Sequence, residues 1–124
     1  MFNYQTYTTL AIKSFLKDKS ILSLLVLAVF FNLLTWSIMA WGVRFFPGLM
    51  PLHYNIYFGP DLFGPWYQIL FIPGLGLAFL IVNLFLSLYF YKNNSLLVYF
   101  LIGVGFLVQL ILFLASVFII YLNY

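Results

Sequence analysis

Three long uncharged runs constrain this chain more than any other feature of its sequence. They cover residues 21–43, 69–91 and 96–122, which are 23, 23 and 27 residues long. At about 1.5 Å per residue in an α-helix, each run can cross a hydrocarbon core of about 30 Å. Each is also longer than the roughly 7–15 apolar residues of a cleaved signal peptide. The sequence therefore predicts an integral membrane protein with three transmembrane helices.

Composition excludes the other broad classes. Only 6% of the 124 residues are charged, whereas about 25% are charged in soluble domains, so a soluble globule is excluded. Intrinsic disorder is excluded because 66% of the residues are hydrophobic. The net charge of +3 reflects a scarcity of acidic residues. We therefore expect the lipid bilayer as a partner, and no nucleic acid.

Basic residues set the expected orientation. Lys13, Lys17 and Lys19 precede the first run and Lys92 separates the second from the third, whereas Arg44 lies alone on the other side. Since cytoplasmic loops are enriched in basic residues, we predict a cytoplasmic N-terminus and an outward C-terminus in the plasma membrane. The chain would form a single transmembrane domain, with its connections at an outer loop, residues 44–68, and a cytoplasmic turn, residues 92–95.

The segment before the first run, residues 1–20, is predicted to form a short amphipathic helix at the cytoplasmic interface. Helical spacing would place Lys13 and Lys17 on one face of this helix. A second, apolar face would be formed by Tyr4, Tyr7, Ala11 and Phe15.

Small residues inside the runs indicate where the helices approach one another. In lipid, helix association depends on packing shape, and small residues allow two backbones to come close. Gly74 and Ala78 form a small-xxx-small pair in the second helix with Gly76 between them, and Gly103 and Gly105 narrow the third. Their contacts are predicted either within the chain or at an oligomer interface.

Three side-chain amides, one in each helix, are predicted near the middle of the membrane: Asn32, Asn83 and Gln109. An amide exposed to lipid is costly, so all three should face inward and find hydrogen-bond partners. We interpret them either as contacts between helices or as a polar path for a small solute. The runs contain no carboxylate, which disfavours a proton or cation transporter.

The outer loop is dense in turn-forming residues. It contains four of the five prolines and three glycines: Pro47, Pro51, Pro60, Pro65, Gly48, Gly59 and Gly64. This composition favours a fixed shape with several bends. Residues 52–58 could run extended and place His53, Asn55 and Tyr57 on one face.

The chain is then predicted to turn back over residues 59–61, so that Asp61 could reach His53, Arg44 or free backbone amides. We assign no strand pairing to this loop. The predicted fold class is therefore all-α: three transmembrane helices, an N-terminal interfacial amphipathic helix and a structured outer loop rich in proline, glycine and aromatic residues.

The loop also carries a motif, which consists of Pro51, His53, Tyr54 and Asn55, followed by Gly59, Asp61, Phe63 and Gly64. This pattern resembles the membrane module of unknown function at the N-terminus of SdpI-type immunity proteins, which protect bacteria from a secreted killing factor. The resemblance covers roughly residues 21–91. It implies a bacterial protein with an outward loop between two helices, and signature positions at His53, Asn55, Gly59 and Asp61. Pro65 and Trp66 stand where the family commonly has a basic residue.

His53 is the single histidine of the chain. It could tie the loop together through Asn55, Asp61 or backbone groups, contact a ligand or partner, or serve a metal or catalytic role. One histidine with one or two carboxylates provides few ligands for a zinc site. The sequence has no cysteine, no glutamate and no recognisable nucleophile beside a base. We therefore expect no enzyme activity, no cofactor and no metal.

These features favour a non-catalytic small membrane protein that binds a partner through its outer loop, as an accessory subunit or as a receptor-like, immunity-like protein. The residues expected to organise the loop or its contact are His53, Asn55, Gly59, Asp61 and Arg44. The alternative is an oligomeric pore or small-solute carrier that uses the amides Asn32, Asn83 and Gln109. The first hypothesis expects a different protein as partner, and the second expects a homo-oligomer.

Overall fold

Helices dominate the structure, a computed structural model that describes residues 4–45 and 48–123, with side chains over 9–45 and 48–122. In chain order the elements are helix α1 (Tyr4–Lys17), helix α2 (Lys19–Gly42), a 3-10 turn (Val43–Phe45), strand β1 (Leu49–Asn55), strand β2 (Gly59–Pro65), a second 3-10 turn (Trp66–Leu70), helix α3 (Phe71–Phe90) and helix α4 (Ser95–Asn123).

Three helical segments of the described chain are long and apolar enough to cross a membrane, by length and composition: Lys19–Phe45, Trp66–Phe90 and Ser95–Leu122. This confirms the predicted number of candidate membrane helices. Helix α3 begins at Phe71, so Pro73 lies in its first turn. A proline is tolerated there because the first N–H groups of a helix have no partner within the helix.

The predicted all-α class is wrong for the outer loop, because β1 and β2 form an antiparallel two-stranded sheet. Their pairing runs from Leu49 opposite Pro65 to Asn55 opposite Gly59. Pairing satisfies backbone groups that an irregular loop would leave without partners. Both strands are edge strands, and edge strands tolerate proline, which has no N–H to donate. Pro47 lies outside the described residues.

Asp18 separates α1 from α2. Its backbone is extended (φ −74°, ψ 106°), and its Oδ1 accepts hydrogen bonds from the N–H groups of Ser20 and Ile21 at 3.0 and 3.2 Å. This side-chain cap begins α2. The predicted N-terminal helix is therefore present, and its position at a membrane interface stays a prediction. The side chains of Tyr4 and Tyr7 lie outside the described ones.

Helix α4 packs along both α2 and α3, whereas α2 and α3 contact one another much less. An apolar cluster lies near each end of this bundle. The cluster at the α1 end consists of Phe15, Ile21, Val98 and Ile102. The cluster at the hairpin end consists of Met39, Met50, Ile69 and Ile120. Helix α1 and the hairpin are thus attached to opposite ends of the bundle.

Candidate functional site

The turn of the hairpin lies at residues 56–58. Oδ1 of Asn55 accepts a hydrogen bond from the N–H of Tyr57 at 2.9 Å, and a local bond of this kind starts a turn. Gly59 follows the turn with a φ of 76°, a conformation that favours glycine. The turn predicted over residues 59–61 is therefore wrong: the Asn55 side chain reverses the chain earlier, and β2 begins at Gly59.

His53 and Asp61 meet across the two strands. Nδ1 of His53 lies 2.7 Å from Oδ1 of Asp61, so Nδ1–H donates to the carboxylate. The side chains are 65% and 41% exposed. The strand register is irregular on both sides of His53, which interrupts the predicted alternation of residues 52–58. Irregularities of this kind redirect a side chain, and here the contact considered for His53 and Asp61 is formed.

Arg44 does not join this pair. It is exposed in the 3-10 turn Val43–Phe45, and no ion pair connects it to Asp61 in the part of the chain that the structure describes. The predicted loop group therefore separates. Its other members lie within the hairpin or beside its turn: His53, Asn55, Gly59 and Asp61.

Met50 attaches the hairpin to the helices. Its side chain is fully buried in the cluster at the hairpin end. Gly64 lies opposite Met50, and a Cβ there would collide with Oε1 of Gln68 and Cδ1 of Leu52. Met50 was not among the residues predicted to organise the loop. The available signal was a long apolar side chain within a segment otherwise rich in turn formers.

The tip of the hairpin is apolar and exposed. Ile56, Tyr57 and Phe58 form this apolar tip, and each is between 82% and 85% exposed. Leu62 and Phe63 on the adjoining strand also expose more than half of their surface. Contiguous exposed apolar groups of this kind mark interaction surfaces.

Asn32 and Gln109 form a buried amide pair between α2 and α4. Nδ2 of Asn32 donates to Oε1 of Gln109 at 3.0 Å and to the backbone oxygen of Pro73 at 3.2 Å. Nε2 of Gln109 donates to the backbone oxygen of Gly76 at 2.7 Å. Asn32 is 4% exposed and Gln109 is 0% exposed. The amide pair therefore joins all three long helices.

Asn83 is buried as predicted, but it does not belong to this pair. Its Nδ2 donates to the backbone oxygen of Phe79, one turn earlier in its own helix, at 3.2 Å. It packs against Gly105, where an added Cβ would lie 3.8 Å from Asn83 Cβ and Nδ2. Along α3 it lies about 10 Å from Gly76, so the three amides do not form one group.

Gly76 provides the close approach of α3 to the amide pair. A Cβ at this position would lie 2.8 Å from Cδ1 of Leu112, 2.9 Å from Oε1 of Gln109 and 3.0 Å from Nδ2 of Asn32. Such distances are too short for an unstrained contact, so any larger residue would displace the amide pair. Gly76 was predicted only as one of several small residues that allow two helices to approach.

The packing predicted within the chain is found for Gly105 and is absent for three other small residues. A Cβ at Gly74 or at Gly103 would meet no described atom within 4 Å, and Ala78 is exposed. Gly74 and Ala78 instead line an open groove of about 740 Å³ beside the hairpin. An oligomer interface at these two residues stays a prediction.

Two tyrosines hold α1 against the bundle. The hydroxyl of Tyr91 donates to the backbone oxygen of Ser14 at 3.1 Å, and its ring meets that of Phe15 edge-on, with centroids 5.3 Å apart. The hydroxyl of Tyr99 donates to Oδ2 of Asp18. This attachment was not predicted from the sequence.

Asp18 is therefore bound through both of its carboxylate oxygens. The hydroxyl of Tyr99, followed by the N–H of Ile21, lowers the pKa of Asp18 from its ordinary value, because both donors stabilise the ionised form. An aspartate shortly before a long apolar run is a helix start signal, so its capping role could have been predicted from the sequence.

No metal centre is formed by the described residues, which contain no group of three or more histidine, cysteine, aspartate or glutamate side chains that could hold an ion. Compared with known proteins, the chain matches no family model, no curated protein and no solved structure. Its function is therefore inferred from its own residues.

Proposed function

We propose that this chain is a non-catalytic protein of the bacterial plasma membrane that binds a partner protein through its hairpin, as an accessory subunit or as an immunity-like receptor. The proposal is carried by one observation, the exposed apolar tip on a hairpin with a buried root. Ile56, Tyr57 and Phe58 are almost fully exposed, while Met50 is fully buried among residues of the helices. Aromatic side chains presented in this way commonly form the energetic centre of protein interfaces.

The His53–Asp61 pair supplies polar groups beside the apolar tip. Both side chains are exposed, so they can form hydrogen bonds with a partner without any change in the buried packing of the chain. An exposed pair contributes about 1 kcal/mol or less to stability. The pair is therefore better suited to recognition than to holding the hairpin together.

The distribution of basic residues supports an outward hairpin. Lys13, Lys17, Lys19 and Lys92 all belong to the α1 end, whereas Arg44 lies at the hairpin end. With basic residues favoured on the cytoplasmic side, the N-terminus is cytoplasmic and the hairpin faces outward. A partner would then be a protein of the outer face or of the same membrane.

The resemblance to the module of SdpI-type immunity proteins supports the receptor-like version. Its four signature positions have coherent local roles here. Asn55 and Gly59 shape the turn, and His53 and Asp61 form the exposed pair next to it. An outward hairpin would be on the side of the membrane where it could bind an extracellular factor.

Photocrosslinking tests the proposal directly. A photoreactive amino acid is placed at position 57 of the full chain, in its own membrane, and at position 111 as the matched control. Tyr57 is 82% exposed at the apolar tip, and Ile111 is 62% exposed on α4, within a membrane-spanning segment. We expect a discrete protein adduct from position 57 and lipid adducts alone from position 111.

Specific binding also requires the polar pair. The adduct from position 57 should decrease several-fold in the Asp61→Ala variant at unchanged abundance of the chain. Native mass spectrometry of the mildly extracted protein should then show the same partner at a fixed ratio. Identical adducts from positions 57 and 111, or capture that is indifferent to Asp61, would contradict the proposal.

The oligomeric pore receives less support from the geometry. Asn32 donates to Gln109 and to the backbone oxygen of Pro73, and Gln109 donates to the backbone oxygen of Gly76. Asn83 donates within its own helix. These hydrogen bonds account for the burial of the three amides without a solute path, so the pore stays the alternative prediction.

A further inference from the structure

Three exposed lysines lie close together in sequence at the α1 end. They are called the lysine group and consist of Lys13, Lys17 and Lys19. The contact between Tyr91 and Ser14, at 3.1 Å, brings the turn between α3 and α4 next to α1. Lys92 in that turn adds a fourth positive charge to this end.

The acidic residue at this end is engaged elsewhere. Oδ1 of Asp18 accepts from two backbone N–H groups that begin α2, and Oδ2 accepts from the hydroxyl of Tyr99. In the described part of the chain, no ion pair joins Asp18 to the lysine group. Lys13 and Lys17 are also four residues apart on α1, where like charges repel. An anion from outside the chain would relieve this repulsion.

The exposed apolar side chains of α1 indicate where such an anion would lie. Leu10, Ile12 and Leu16 are 51%, 42% and 56% exposed. With 14 residues, α1 is about 21 Å long, which is too short to cross a core of about 30 Å. A short helix with lysines and exposed apolar residues fits the boundary between lipid head groups and acyl chains. Lysine side chains there extend their ammonium groups toward the phosphates.

We infer that the lysine group binds the phosphates of anionic phospholipids at the membrane surface beside α1, and selects them over zwitterionic lipids. The apolar side chains of α1 enter the acyl boundary, which a soluble acidic partner would leave exposed. The net charge of the head group distinguishes the two lipid classes, because both carry a phosphate. The inference does not depend on the function of the hairpin.

Lipid retention tests the inference. The full chain is reconstituted in vesicles of phosphatidylcholine and phosphatidylglycerol, extracted mildly, and analysed by native mass spectrometry for bound lipid. We expect retention to favour phosphatidylglycerol by at least about fivefold, the effect of one lysine near an anionic surface. The triple variant Lys13→Gln, Lys17→Gln, Lys19→Gln should lose most of this preference, with the remainder due to Lys92.

A matched pair of single variants separates position from net charge. Lys17→Gln removes one charge from α1 and should weaken the preference, whereas Arg44→Gln removes one charge from the hairpin end and should preserve it. Helical content by circular dichroism checks that each variant is folded. A preference that the triple substitution does not reduce, or an equal loss in both single variants, would overturn the inference.

A second measurement needs no variant. Raising the ionic strength from about 0.01 M to about 1 M shortens the Debye length from about 30 Å to about 3 Å. The preference of the unaltered chain for phosphatidylglycerol should then disappear. Equal retention of both lipids at low salt, or a preference that is insensitive to salt, would also overturn the inference.

Discussion

Two polar pairs of this chain have short hydrogen bonds and opposite surroundings. Nδ2 of Asn32 lies 3.0 Å from Oε1 of Gln109, and both side chains are buried between helices. Nδ1 of His53 lies 2.7 Å from Oδ1 of Asp61, and both side chains are exposed on the hairpin. Water competes for the exposed pair, whereas breaking the buried pair leaves amide groups without partners in an apolar layer. Burial, and not distance, therefore decides which pair stabilises the fold and which is available to a partner.

The largest effect is expected where the buried pair meets α3. Gly76→Ala places a Cβ within 3.0 Å of the hydrogen-bonded amide pair and of Leu112, so we expect a loss of about 1–3 kcal/mol from overpacking. Gly74→Ala is the matched control, because its Cβ would meet no described atom within 4 Å. Unfolding free energies in lipid-detergent mixtures measure both. Equal effects of the two substitutions would contradict the contact assigned to Gly76.

Removing one member of the amide pair should have the next largest effect. Asn32→Leu keeps the size of the side chain and deletes two hydrogen bonds to other helices, at a cost of about 1–1.5 kcal/mol. Asn83→Leu deletes one bond to its own helix and should cost less than about 0.5 kcal/mol. The same unfolding assay compares them. A larger loss from Asn83→Leu would reverse the roles given to the two residues.

In the hairpin, the turn should tolerate little change at one glycine. Gly59 has a φ of 76°, so Gly59→Ala should destabilise the turn by about 1 kcal/mol. Gly48→Ala is the control, since an added Cβ at Gly48 would have open space around it. Hydrogen exchange of the β1 and β2 amides measures the local loss. Unchanged exchange in Gly59→Ala would contradict the assigned turn.

The exposed pair should separate stability from binding. His53→Ala and Asp61→Ala should each change the unfolding free energy by less than about 0.5 kcal/mol, and a double-mutant cycle should give a coupling of similar size. Crosslinking from position 57 should nevertheless fall in both variants. A coupling above about 2 kcal/mol would mean that the pair stabilises the hairpin like a buried contact.

The contact of Asp18 with Tyr99 at the α1 end can be tested through the pH dependence of stability. Of these substitutions, we expect the one at Asp18 to change the unfolding free energy least near neutral pH. Its folded pKa is lowered, so its ionised form stabilises the fold fully above the ordinary aspartate value, about 4. This contribution is lost as the pH falls from there through the lowered folded value. Asp18→Asn, which can still cap α2, should flatten the pH dependence of unfolding in that range. An identical acid profile in both proteins would refute the assignment.

The long helices were predictable because charges interrupt the sequence at suitable intervals. The hairpin was not, because its turn depends on one Asn55 hydrogen bond and on the φ of Gly59, and its root depends on burial of Met50 against distant residues. The extended backbone around His53 was predicted, but the strand that pairs with it was not. The contact of His53 with Asp61 was one of several left open.

The packing face of α3 shows a different limit. Gly74 and Gly76 are two residues apart, which is about 200° around a helix, so they lie on opposite faces. In a helix that is apolar all round, hydrophobicity does not indicate which face is buried. The same limit applies to Asp18 and Tyr99, which are 81 positions apart and share no local pattern.

The buried amide pair also fixes the axial alignment of the three long helices relative to one another. Leucine contacts lipid and leucine with similar energy, so apolar helices can slide along one another at little cost. A slip of one helical turn, about 5.4 Å, would carry Asn32 out of hydrogen-bond reach of Gln109. The hairpin and α1 are attached to the two ends of these helices. The pair thereby sets the distance between α1 at one end of the bundle and the hairpin at the other.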